Sequence, residues 1–356
     1  MTTNTTNETR GTVTEYRDPD AWDRFVTGAD GPPFALSGWG RACETYGHEW
    51  LPLAATDGAG VRAVLPLVHM ESRLFGSKLV SPPFGERGGV IAHESTPEAA
   101  IRALVDRTVE LARERAVDFV SLRGPGVGRV DPLTEKRRFV TFRVPVGEGV
   151  ESTWEGIKES RRRQIRQARD DPELAYDTGE TLADLREYYD LYLRSVRGHG
   201  TPPHSFDFFR TLWEDLHGSG HMYLGFVRKD GVPINGMIDL QAGTTVHQWG
   251  VVNDYEYRDR NGGSYLLWKS LERAAQRGYG TYEFGRTREG SGVYMFKKSF
   301  GGSKTWYDDH HYFPGEGAEL PHPEDETYEP AKRVWKRLPI PVTELVGPRL
   351  RRGISL

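Results

Sequence analysis

The feature that most constrains the fold is an order of elements that the chain runs through twice. From Thr12 the sequence predicts a strand (TVTEY) and then a helix (DPDAWDRFVTGA) with Asp18 as N-cap and Pro19 at its first position. A second helix follows (SGWGRACETYG), then two apolar runs around Asp57-Gly58-Ala59-Gly60, a hairpin signal. A long helix (TPEAAIRALVDRTVELARERA), with Thr96 as its cap, leads to a buried strand that ends in a glycine-rich loop (VDFVSLRGPGVG). After Glu180 the order returns. Two helices (TLADLREYYDLYLRSV and SFDFFRTLWEDLHG) precede three strands across His221–Val252, with turns at Lys229-Asp230-Gly231 and Ala242-Gly243-Thr244. An amphipathic helix (GGSYLLWKSLERAAQRG) closes on Gly278, and the strand YGTYEFGR again runs into a glycine-rich loop. Residue identity between the halves is poor, so the repeat is architectural. It is the pattern of two similar α/β domains.

The expected limits are a polar, disordered leader at 1–11, a first domain at 12–148, a second at 149–313 and a tail at 314–356. The seam falls near residues 143–153. Val334, Trp335, Leu338, Ile340, Leu345 and Val346 are expected to pack the tail onto the first domain.

Composition excludes several classes of function. A net charge of −4 gives no global field toward nucleic acid or membrane, so a polyanion would need a local patch. The single cysteine, Cys43, allows neither an intrachain disulfide nor a thiolate metal cluster, which fits a reducing cytoplasm. No apolar run approaches the roughly 18 residues of a membrane span, and the N-terminus lacks the apolar core of a secretory signal.

Three segments carry candidate chemistry. In WEGIKESRRRQIRQARDD, a helix would place Lys158, Arg162, Arg166 and Arg169 near one face; this is either a solvated face or a surface for phosphate or carboxylate. The loop His199-Gly200-Thr201-Pro202-Pro203-His204 lies between aromatic-rich helices and reads either as a plain connection or as a substrate-facing loop. Its two histidines lack companions for a metal set, so no metal is expected. The turn YRDRNGGS opens a helix, where backbone N–H groups suit phosphate.

With the stretch FGRTREGSGVYMFKKSFGG, these residues resemble the FemAB-like acyltransferases of the GNAT superfamily. The resemblance runs from Trp154, Lys158, Arg161 and Arg166 through Gly200-Thr201-Pro202-Pro203 and NGGSYLLWKSLERAAQRGY, strongest over about residues 150–305. It implies a mixed α+β fold of two GNAT-like domains in tandem, each a twisted sheet flanked by helices. It also implies transfer of an acyl group onto an amine. The best-known members use an aminoacyl-tRNA donor and a peptidoglycan precursor as acceptor; others belong to exopolysaccharide or cell-surface systems.

By the same resemblance Phe296 and Lys297 lie near the reacting carbonyl, with Lys297 as oxyanion stabiliser and Glu283 as proton acceptor or partner of Arg286. Donor binding falls to Arg258, Asn261, Gly262, Gly263 and Ser264, with acyl-CoA as the first donor and aminoacyl-tRNA the second. Asn261 stands where acetyl-CoA-using members carry a glycine. Acceptor binding falls to Arg162, Arg166, Tyr192, His204, Trp249 and Arg286, for a small molecule, glycan or peptide. Two other readings stay open. Lys297 and Lys298 could instead pair with Glu283 and Glu289, and the protein could be a non-catalytic glycan- or peptide-binding protein that kept only the groove.

Overall fold

The structure is a computed structural model that describes residues 12–124, 130–315 and 329–355. The expected leader, part of the first glycine-rich loop and most of the Pro/Glu-rich stretch lie outside the described residues. The described residues divide into two compact units, 12–124 and 130–137 with 308–315, and 138–307 with 329–355. The boundaries therefore fall earlier than expected, inside strands rather than at the glycines of residues 147–149.

In the first unit, β1 (Thr12–Glu15), β2 (Glu49–Asp57), β3 (Gly60–Ser72) and β4 (Gly76–Ser81) pair antiparallel in sequence order. The short β5 (Ile91–Ala92) adds to β3, and β6 (Phe119–Arg123) runs parallel to β4. Helix α1 (Pro19–Gly28) starts as expected, because the Asp18 carboxylate accepts the Ala21 N–H at 3.0 Å. Helix α2 (Ser37–Glu44) follows, and α3 (Glu98–Glu114) covers the sheet. Its N-cap position is Pro97 rather than Thr96, whose hydroxyl binds the Arg62 carbonyl oxygen instead. Leu65, Leu67, Leu79, Leu104 and Val105 are almost fully excluded from water at the centre of this core.

The second unit orders its strands as β7 (Thr134–Pro145), β12 (Thr281–Glu283), β11 (Thr245–Asn253), β10 (Val232–Ala242), β9 (Met222–Lys229) and β8 (Leu174–Gly179). Helices α4 (Val150–Glu155), α5 (Glu159–Arg169), α6 (Leu182–His199), α7 (Phe206–Leu216), α8 (Gly262–Gln276) and α9 (Gly292–Lys298) complete it, with β13 (Ser303–Tyr312) shared at the boundary. Strand alternation separates two faces of β10. Asp239 meets Arg273 of α8, whereas a Cβ on Gly236 would press on Tyr188 of α6. Helix α6 carries a full capping box between Thr181 and Asp184 and stops at Gly200 in the left-handed conformation.

The tail corrects the sequence expectation. Helices α10 (Glu329–Trp335) and α11 (Ile340–Arg351) belong to the second unit, not the first. Trp335 is buried there, Gly347 lies directly on Pro203, and Glu344 pairs with Arg186 of α6 at 3.0 Å. Of the apolar residues expected to pack, only Trp335 is buried, while Val334 and Leu345 stay exposed; the tail's contacts are with α6 and the loop after it.

Candidate active site

β11 and β12 run side by side, parallel, for only three residue pairs, Thr245–His247 against Thr281–Glu283. β11 then continues to Asn253 while β12 ends, so the two strands part. Glu283 is the last paired residue. Its side chain is 2% exposed, its Oε1 accepts the Tyr307 hydroxyl at 2.8 Å, and its Oε2 lies 3.5 Å from Nε of Arg143 on β7. The sequence offers Glu283 as a proton acceptor or as a partner of Arg286; Arg143 and Tyr307 were not singled out, since both come from strands distant in the chain. The Arg286 guanidinium lies 4.5 Å from the Tyr307 ring centroid, at the edge of the same cluster. Tyr282 binds Asp239 on the α8 face, so Glu283 must face the other way, as do His247 and Trp249.

The stretch after β12 was read as a loop as far as the lysines. It contains instead a seven-residue helix, α9, started by Ser291, whose hydroxyl accepts the Tyr294 N–H at 3.1 Å. This short helix turns Lys297 inward and Lys298 outward. Lys297 is buried, and its ammonium donates to the carbonyl oxygens of Gly285 at 2.5 Å and Arg286 at 3.4 Å. Burying an ammonium is costly unless it is hydrogen-bonded, and these carbonyls meet that need at the exit of β12. Lys298 is exposed, and Glu289, one of the acids offered as a lysine partner, pairs with Lys304 at 2.6 Å.

The basic helix divides its arginines. Arg162 and Arg166 both pair with Glu159, at 2.8 and 3.0 Å. Arg161 is the one that reaches the site. Its guanidinium lies 4.3 Å from the Phe296 ring centroid and binds the hydroxyls of Ser299 and Ser264, both at 2.8 Å. Among the described residues no carboxylate lies within ion-pair distance of it, and partial burial lowers its pKa. It thus ties α5 to the first turn of α8 and to the end of α9.

The turn before α8 has the form the glycine-bearing version would have. Asn261 sits at φ 59°, ψ 17°, a left-handed conformation that asparagine tolerates, and no side chain caps the helix. A Cβ on Gly262 would overlap the Asn235 side-chain oxygen, so any larger residue there would have to displace that amide. Arg258 is exposed, while Arg260 is held by Asp171 and Glu173.

Tyr192, His204 and Trp249 come together on the α6 face, the first two buried in packing and Trp249 half-buried at its edge. The His204 ring stacks on Phe208 at 4.5 Å, Tyr192 accepts the His204 backbone N–H at 2.9 Å, and Trp249 lies 5.7 Å from Phe209. Arg351 of the tail donates to Nε2 of His204 at 3.1 Å. Burial first, and Arg351 second, hold the His204 pKa well below the ordinary histidine value. No cluster of histidine, cysteine and acidic side chains that could hold a metal ion occurs among the described residues. No described helix is long and apolar enough to cross a membrane.

Residues 157–298 match the family model of the acetyltransferase (GNAT) domain. The fold is similar to that of FemX (TM-score 0.69, 14% identity, 85% of this chain and 97% of that one). It is also similar to the C-terminal domain of a putative lysylphosphatidylglycerol synthetase from Agrobacterium fabrum (TM-score 0.56, 12% identity, 83% and 91%). A tandem GNAT protein from the clavulanic acid biosynthesis pathway also matches (TM-score 0.50, 12% identity, 86% and 99%). No curated protein matches the sequence significantly. Residues 157–298 therefore carry a GNAT-type acetyltransferase domain match, and the fold around them is similar to that of FemX. The likeness to FemX and to a tandem GNAT protein is one of fold.

Proposed function

We propose that the protein is an N-acyltransferase that moves an acetyl, acyl or aminoacyl group onto an amine of a sugar, glycan or peptide, with cell-envelope and polysaccharide precursors as the acceptor class. One relationship carries this reading. Glu283 is the last paired residue of β12, and the Lys297 ammonium binds the carbonyls two and three residues further on. A buried carboxylate and a buried cation thus share the mouth where β11 and β12 part.

The amine nitrogen attacks the donor carbonyl, Glu283 takes the proton that the nitrogen loses, and the carbonyl oxygen becomes an oxyanion; its collapse forms the amide, breaks the donor's thioester or ester bond and expels the CoA thiolate or tRNA alkoxide, which takes the proton back from Glu283. Lys297 stabilises that charge, which exists only beyond the ground state, so its contribution lowers the barrier rather than tightening binding. The donor's phosphates belong at the turn from Arg258 to Ser264, where Asn261 keeps the required backbone shape. Arg161 holds this turn against Phe296. Trp249 and Arg286, half-buried on the Glu283 side, suit the acceptor better than Arg162 and Arg166, which spend their charge on Glu159. A cytoplasmic location fits, since acyl-CoA and aminoacyl-tRNA are made there.

Mass spectrometry of small molecules and RNA retained by the purified chain, followed by incubation with acetyl-CoA and longer acyl-CoAs, tests the proposal. An acylated amine product is expected. Stabilisation by CoA esters without turnover on any retained amine would make this a binding protein; retained tRNA without response to CoA would shift the donor to aminoacyl-tRNA.

A further inference from the structure

Phe300-Gly301-Gly302, the end of the lysine-bearing stretch, has no part in the chemistry above. Gly301 and Gly302 have φ of 86° and 81°, and a Cβ on either would overlap a backbone carbonyl oxygen, that of Gly156 or that of Arg143. The turn therefore lies directly on the end of α4 and on β7. With them it walls a cavity of about 640 Å³, lined by Arg143, Thr281, Ser303 and Thr305 over Val144 and Phe300. That volume is within the roughly 300–1,000 Å³ of small-molecule sites. The hydroxyls of Thr281, Ser303 and Thr305 have no hydrogen-bond partner among the described residues. Arg143 approaches Glu283 through Nε, at 3.5 Å, and its side chain is 41% exposed, which leaves the guanidinium accessible to a ligand.

We infer that this cavity binds an anionic sugar. Side-chain hydroxyls both donate and accept, as a sugar's own hydroxyls require, and a guanidinium fork matches one phosphate or carboxylate. The cavity also adjoins the candidate active site. Thr281 and Glu283 are alternate residues of β12 and share a face, and Arg143 touches both cavity and carboxylate. Its use as the seat of the acceptor, whose amine then reaches Glu283, rests on the acyl-transfer reading; the binding itself does not.

Titration calorimetry of the full chain with glucosamine 6-phosphate, glucuronate, glucosamine and inorganic phosphate tests the inference. At least one anionic sugar should bind about tenfold or more tighter than either glucosamine or phosphate alone, and the preferred one identifies the anion. Arg143→Met and Thr305→Val should each weaken binding by about tenfold; the second variant leaves Glu283 its Arg143 partner and guards against a folding defect in the first. Failure of both anionic sugars to bind at millimolar concentration, equal binding of phosphate alone, or unchanged affinity in both variants would overturn it. Sugar binding by a chain that transfers no acyl group would retire the acceptor role and leave the cavity assignment standing.

Discussion

Lys297 donates to the carbonyl oxygen of Gly285 across 2.5 Å, which fixes its ammonium at the exit of the strand that ends in Glu283. The same bond gives the lysine a structural duty, so a single substitution tests two roles at once. Lys297→Ala should lower turnover by about 10²–10³-fold, as loss of one oxyanion donor does. It should also lower stability by about 1–3 kcal/mol, because two carbonyls lose a charged donor. Lys298→Ala, at an exposed position, should change neither much. Turnover and melting temperature of each variant check this; near-native turnover in Lys297→Ala would leave only the structural duty.

Arg161 should prove the arginine of α5 that matters. Arg161→Met keeps much of the packing on Phe296 but loses both serine bonds. We expect it to be clearly destabilised, while Arg162→Gln and Arg166→Gln, whose pairs with Glu159 are surface ion pairs, should each cost at most about 1 kcal/mol. A double-mutant cycle with Ser264→Ala should give a coupling of about 0.5–3 kcal/mol. Zero coupling would mean that the Arg161–Ser264 bond contributes nothing.

This contrast shows where the sequence was legible. Hydrophobic periodicity and capping residues revealed most helices and the paired strands of both halves, because those signals are local. A helical wheel could group the arginines of α5, yet it could not show that Glu159 would claim two of them and Phe296 a third. The seven residues Gly292–Lys298 were too few for helical periodicity, so α9 went unread. The strand at Gly76–Ser81 was missed because its start is polar. Arg143 and Tyr307 reach Glu283 from 140 and 24 residues away, a relationship that no spacing encodes.

Asn261 should tolerate only residues at home with positive φ. Asn261→Gly should be nearly neutral, whereas Asn261→Val should cost at least about 1–3 kcal/mol through left-handed strain. Gly262→Ala should perturb the turn despite alanine's helix preference, since its Cβ would collide with the Asn235 side chain. Chemical denaturation of the three variants checks the order, and a well-tolerated Asn261→Val would show that the turn relaxes.

His204 should make stability depend on pH. Its folded-state pKa is held well below the ordinary value, first by burial and then by Arg351, while in the unfolded chain it returns to about 6.5. The folded protein therefore keeps the ring neutral where the unfolded chain binds a proton. The resulting stability is fully present above pH of about 6.5 and is lost as the pH falls below it. Arg351, Phe208 and Phe209 contact the ring, and the Arg351 cation disfavours its protonation. His199 is also shifted downward, by burial and by Lys336, so the wild-type slope contains more than one histidine. The difference between wild type and His204→Gln isolates the one of interest. Melting temperatures measured from pH 7.5 down to 5 should converge as the pH falls, because the wild type loses stability that the variant never had. Parallel curves would show that His204 is not held neutral by its surroundings, and would remove the tail's Arg351 contact as a source of acid sensitivity.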